Sequence, residues 1–148
     1  KEYPYRDLTP RIIAEEYKED ESGYELRDYK IFCFNGEPKI LFVASDRQKA
    51  SEDTKFDFFD LNWNHLPFTN GHPNSKEHIA KPKNFEEMLE IAKKLSVGIP
   101  QVRIDLYNCN GKIYFGEITF FHWSGMTAFD PVEWDFKLGK MIKLPCDK

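Results

Sequence analysis

Arg103, Asp105 and Glu117 are the residues of this chain best placed to do chemistry, because they sit at alternating positions of two strand-like runs within residues 102–120. Two carboxylates and a guanidinium on one surface would suit a hard cation such as Mg²⁺ together with the phosphate oxygens it touches. Whether they share a surface depends on how the two runs pair about Asn110-Gly111, a dipeptide that favours a hairpin turn. A two-residue loop sets Asp105 opposite Gly116 and turns Glu117 to the other face. A three-residue loop, Cys109-Asn110-Gly111 with Gly111 left-handed in a bulge, sets Arg103 opposite Glu117 and Asp105 opposite Phe115. Only the second gathers Val102, Ile104, Leu106, Tyr114, Ile118 and Phe120 on one apolar face, and a one-residue slip flips every side chain, so burial predicts that register. The opposite face then carries Arg103, Asp105, Tyr107, Phe115, Glu117 and Thr119. A cross-strand salt bridge on a solvated sheet, contributing about 0–1 kcal/mol, is the plain alternative to a cation site.

The elements that must hold this hairpin are legible in outline. Tyr29 to Phe34 and Lys39 to Ala44 read as two strands about Asn35-Gly36-Glu37-Pro38, and Arg11 to Tyr17 as a strand running into the acidic Glu19-Asp20-Glu21. Phe56 to Asp60 is a further candidate strand and Asn62 to His65 a turn, within a long mixed stretch over 45–82 that predicts a functional or partly disordered loop. The clearest helix covers 85–96, with Phe85, Met88, Leu89, Ala92 and Leu95 along one face, Asn84 and Glu87 as a capping box, and Gly98 and Pro100 ending it. A short last helix is predicted near Pro131, capped by Asp130. The fold class is α+β: an antiparallel sheet with helices packed on one face and the other face, with Lys30, Arg103, Asp105 and Glu117, open to a ligand.

At 148 residues with a net charge of −4, the chain is one domain's length and has no basic stripe for nucleic acid. No apolar run reaches the roughly 20 residues of a membrane span, and no signal peptide is visible at the start. Cys33, Cys109 and Cys146 are odd in number and widely spaced, which suits idle thiols in a cytoplasmic setting better than disulfides or zinc. The thirteen Phe fall mostly at strand spacing and read as core. His65, His72, His78 and His122 show no ligand spacing and read as surface or turn residues.

Six segments, in order, carry a resemblance: Pro10-Arg11-Ile12-Ile13-Ala14-Glu15-Glu16-Tyr17, Asp28-Tyr29-Lys30-Ile31-Phe32-Cys33-Phe34-Asn35-Gly36, Phe59-Asp60-Leu61-Asn62-Trp63-Asn64, Lys81-Pro82-Lys83-Asn84-Phe85-Glu86-Glu87-Met88, Val102-Arg103-Ile104-Asp105-Leu106-Tyr107 and Tyr114-Phe115-Gly116-Glu117-Ile118-Thr119-Phe120. Together they resemble the C-terminal half of an ATP-grasp domain, in the TupA-like branch associated with teichuronopeptide and capsular polysaccharide synthesis. The resemblance implies ATP and Mg²⁺ as cofactors. It makes Glu15-Glu16-Tyr17-Lys18 the hinge that meets adenine and gives the ribose hydroxyls to one residue of Glu19 to Glu21, with Glu21 among the candidates. Asp105 and Glu117 match the magnesium carboxylates, and Thr119 stands where many members carry a metal-binding Asn. Arg103 matches a catalytic phosphate contact and Lys30 a basic strand residue of the cofactor site.

The implied reaction converts a carboxylate to an acyl phosphate and captures it with an amine, so the partners would be a nucleotide and a carboxylate or saccharide acceptor. A polysaccharide glycosyltransferase using a Mg²⁺-bound sugar nucleotide is the alternative, and a non-catalytic binding domain a third. The earlier half of the ATP-grasp fold has no counterpart here, so residues 1–148 are expected to form one partial domain, a fragment or shortened form inactive alone. Phe121 to Met126 reads either as an acceptor-side loop or as a tight turn led by Gly125.

Overall fold

The computed structural model describes residues 3–20, 25–47 and 54–145. Five strands form one antiparallel sheet: β1 (Asp28–Phe34), β2 (Glu37–Ser45), β3 (Lys55–Asp60), β4 (Gln101–Cys109) and β5 (Lys112–Thr119), in spatial order β3-β2-β1-β4-β5. Two tight turns make the hairpins. Asn35-Gly36 and Asn110-Gly111 each place both residues at positive φ (53° and 80°, 54° and 85°), the conformation that matches strand twist in a two-residue loop.

The β4–β5 register reaches the expected face by a different route. Near the turn the pairing is that of a two-residue loop, with Cys109 opposite Lys112 and Leu106 opposite Phe115. A bulge at Gly116 then shifts β5 by one residue, setting Asp105 opposite Glu117 and Arg103 opposite Thr119. Gly116 fits because a Cβ there would lie 3.0 Å from the Asp105 carbonyl oxygen and 3.2 Å from the Tyr107 ring. The predicted three-residue loop is therefore corrected, and Tyr114 and Phe115 exchange the positions expected of them: Tyr114 pairs with Tyr107 and Phe115 with Leu106.

Both faces of the sheet are covered in part, because the strands carry apolar residues on each. Helix α1 (Phe85–Ser96) lies over β1, β2 and β4, burying Phe85, Met88 and Ala92 against Ile31, Leu41, Val43, Ile104 and Leu106. Full burial of Phe85 and Met88 contributes about 1.5–3 kcal/mol each. Leu95, expected on that stripe, is exposed, and Ser96 is buried instead. Asn84 makes no side-chain cap. Its amide donates to the Gly111 carbonyl (2.9 Å) and its oxygen accepts from Asn108 (2.6 Å), tying the helix start to the β4–β5 turn.

The opposite face was expected to be open, but its β1–β3 half is filled. Phe32, Phe42, Phe56, Phe58 and Phe68 form an aromatic layer that Leu138 of α2 (Glu133–Gly139) completes, so the second helix joins this face. Val132, rather than Asp130, occupies the α2 N-cap position, without a side-chain cap. The long 61–82 stretch is an ordered cover that wraps the β3 edge: Trp63 stacks on Phe59 on one side of the sheet, while Phe68 meets Phe58 on the other. Backbone bonds from Leu66 to Phe58 and from Phe56 to Pro73 occupy edge groups that would otherwise be left for water. Residues 11–17 form no strand, and Ile12 and Ile13 lie exposed in irregular chain. Among the described residues no helix is long and apolar enough to cross a membrane.

Candidate functional site

Alternation along β1, β4 and β5 delivers Asp28, Lys30, Arg103, Asp105, Glu117 and Thr119 to the half of this face that the aromatic layer leaves uncovered. Arg103 is the hub. Its Nε and Nη2 donate to the two oxygens of Asp105 (2.7 and 2.8 Å), and Nη2 also donates to Glu117 Oε1 (2.7 Å) and Thr119 Oγ1 (2.9 Å). Thr119 Oγ1 in turn donates to Glu117 Oε1 (2.9 Å). Lys30 Nζ bridges Asp105 and Asp28, at 2.7 Å from the latter, and Arg47 reaches Asp28 at 3.0 Å. Lys30, Arg103, Asp105, Glu117 and Thr119 lie on the one face that sequence spacing predicts for them, and Asp28, two residues before Lys30 on the same strand, joins them by the same rule, which the sequence reading did not apply to it.

Burial separates the two central carboxylates. Asp105 is 1% exposed, and that burial pushes its carboxyl above the ordinary range against the pull of Arg103 and Lys30. The Glu117 side chain is 60% exposed. The part of Glu117 that is buried works to raise its pKa, but contact with Asp105 and Thr119 and the charges of Lys30 and Arg103 outweigh this and hold it below the ordinary range. Two facing carboxylates thus differ in their hold on a proton, Asp105 binding it more tightly than an ordinary carboxylate and Glu117 less tightly.

His122 completes the cluster and had been read as a surface or turn residue. Its Nδ1 accepts from Arg103 Nη1 (2.6 Å), and its Nε2 donates to Asn70 Oδ1 (2.8 Å). Asn70 is itself buried and donates to the carbonyls of Thr127 and Ala128. Burial, reinforced by the charges of Arg103 and Lys30, lowers the His122 pKa to about 3, so the ring is neutral. No local signal announces this partnership, since Asn70 and His122 are 52 residues apart. The segment that carries His122 is a tight turn in which Trp123, Ser124 and Gly125 all adopt positive φ (49°, 53° and 70°). The two non-glycine residues cost on the order of 1–3 kcal/mol each in backbone strain, which packing of the Trp123 ring against Phe56, His72 and Gly71 offsets.

The residues expected to form the hinge lie beside the same two strands. Glu15, Glu16, Tyr17 and Lys18 border a cleft of about 440 Å³ whose floor is Tyr107 and Tyr114, the next pair along β4 and β5 from Asp105 and Glu117. Glu16 holds Lys18 (2.8 Å), and the Lys18 ammonium sits over the Tyr114 ring, 4.5 Å from its centroid. Asp20 points inward and accepts from the Arg27 amide (3.0 Å); Glu21, with Cys146, lies outside the described residues. A narrower cleft of about 310 Å³ opens on the other side of the cluster between Lys30, Arg103, Thr119 and the His122–Ser124 turn.

The aromatic-floored cleft and the cluster of cations and hard oxygen donors thus lie along the same face of β4 and β5. The chain belongs to the TupA-like ATP-grasp family, whose model, described as TupA-like ATPgrasp, matches residues 1–143. Searches of curated proteins and of solved structures returned no match.

Proposed function

We propose that this chain binds ATP with Mg²⁺ along the β4–β5 face and serves ATP-dependent carboxylate–amine ligation through an acyl phosphate, in the assembly of a cell-surface polysaccharide. One observation carries the reading: Asp105 and Glu117 face each other across the ladder, Arg103 bonds both, and the next pair, Tyr107 and Tyr114, floors the cleft of Glu15 to Lys18. Adenine would lie in that cleft, and the phosphates would run along β4 and β5 towards Arg103 and Lys30.

The donor set fits magnesium. Among the described residues no cage of three or more His, Cys, Asp or Glu exists, but Mg²⁺ takes one or two carboxylates and completes its shell with phosphates and water. Glu117 and Thr119 are the donors that reach solvent. Asp105 already holds Arg103 and Lys30 and would join the ion by releasing one of them, Lys30 being the singly bonded of the two. The ion supplies neutralisation of charge on the phosphate oxygens. The chain's own part is to present the Arg103 and Lys30 donors, already oriented by Asp105 and His122, to the phosphoryl group as charge develops on it.

Calorimetric titration of the chain with ATP, in the presence and absence of Mg²⁺, tests this. Mg²⁺-dependent ATP binding that Glu117→Gln removes is the expected result. Binding of a UDP-sugar with Mg²⁺ in place of ATP would overturn the ligase reading in favour of a glycosyltransferase.

A further inference from the structure

One pocket beside the candidate site has no task in the nucleotide reading. It is a cleft of about 240 Å³ on the far side of His122 and Phe121, which also wall the cleft of Lys30, Arg103 and Thr119. Its lining is dominated by Phe32, Phe34, Phe120, Phe129, Leu138 and Ile142. An apolar cavity of roughly 150 Å³ suffices for benzene, so this one accommodates a ring and a short chain. His122 contributes to it only as a ring, because Arg103 and Asn70 occupy both of its nitrogens.

The polar groups of the pocket narrow the choice of ligand. Asp135 is the one lining side chain with a formal charge, and its carboxylate receives only two long bonds from the Phe129 amide (3.3 and 3.5 Å). Free lone pairs on an anionic rim favour an ammonium and repel a carboxylate. A sugar would bring hydroxyls that Gln101, Thr127 and Asp135 are too few to satisfy, and each buried hydroxyl left unpaired costs affinity.

We propose that this pocket is a binding site, walled from the nucleotide face by His122 and Phe121, for an amine whose body is an aromatic or branched aliphatic group, with the ammonium at Asp135 and the apolar group against Phe32, Phe129 and Leu138. The site stands independently of the ligase reading above.

The test uses phenethylamine as probe, with 3-phenylpropionate and glucosamine as comparators, each followed by saturation-transfer NMR on the intact chain alongside ATP·Mg²⁺ titrations. Phenethylamine is expected to bind, and 3-phenylpropionate and glucosamine to bind more weakly or not at all. Ile142→Trp, which fills the rim from a partly exposed position, should weaken phenethylamine by at least about tenfold while leaving ATP·Mg²⁺ affinity unchanged. Asp135→Asn should weaken it by about threefold, the size of a single half-exposed ion pair. Glucosamine bound in preference, or phenethylamine binding that survives Ile142→Trp, would overturn the proposal while ATP·Mg²⁺ binding still stood. Absence of ATP·Mg²⁺ binding in the unmodified chain would instead overturn the ligase reading alone.

Discussion

His122→Phe is the substitution that most directly tests how Arg103 is held. Phenylalanine keeps the ring contacts with Phe32 (5.1 Å between centroids) and Phe42 (5.4 Å) but removes the acceptor for Arg103 Nη1 and the donor for Asn70 Oδ1. Arg103 retains four other bonds, to Asp105, Glu117 and Thr119. Asn70 is 1% exposed, so its side-chain oxygen is left buried without that donor, at a cost of about 2 kcal/mol near pH 8. The acid side behaves differently. The unfolded chain protonates this histidine below pH 6.5, whereas the folded chain does so only near pH 3, so the unfolded state binds the extra proton throughout that window. Stability conferred by neutral His122 is therefore complete above pH 6.5 and falls as pH drops, by up to about 1.4 kcal/mol per pH unit. By pH 5 the native protein has lost up to about 2 kcal/mol through this group, and the variant has lost nothing. Urea unfolding at pH 8, 6.5 and 5, followed by fluorescence of Trp63, Trp123 and Trp134, should show a gap that closes towards pH 5. A gap that stays constant within about 0.5 kcal/mol across that range would refute the buried, neutral, doubly bonded histidine.

Four other outcomes follow from the same geometry. Asp105→Asn should cost about 3–5 kcal/mol in urea unfolding, because it leaves Lys30 and Arg103 buried without their shared carboxylate. Glu117→Gln should cost less than about 1 kcal/mol, since that side chain is largely exposed, and its measurable effect is the loss of Mg²⁺-dependent nucleotide binding by calorimetry. Gly116→Ala should destabilise by about 1–3 kcal/mol and disturb the β4–β5 amide resonances, because the new Cβ meets the Asp105 carbonyl and the Tyr107 ring. Ile104→Asp should abolish cooperative unfolding altogether, placing a carboxylate at a fully buried position beneath α1 where no partner waits.

The sequence alone determined which residues of each strand segment share a face: strict alternation puts Arg103 with Asp105 and Glu117 with Thr119, because side chains in a strand change face at every residue. It did not determine the loop, since burial predicted three residues about Asn110-Gly111 where the turn has two. Helix 85–96 was legible from its 3.6-residue stripe, although Asn84 spends its side chain on the β4–β5 turn rather than on the helix end. Tertiary structure decided what periodicity cannot encode. The bulge at Gly116 joined the two halves of the face, and it reflects a close approach to the Asp105 backbone across the ladder. The second aromatic layer closed half of a surface that looked free, because the apolar residues on the β1–β3 face away from α1 find their partners in the distant 61–82 segment and α2. His122 became the support of Arg103 only through Asn70, a contact between residues with no periodic relation to one another. Burial did the rest: it left Asp105 gripping its cations and Glu117 facing water, a difference between two carboxylates that no spacing could express.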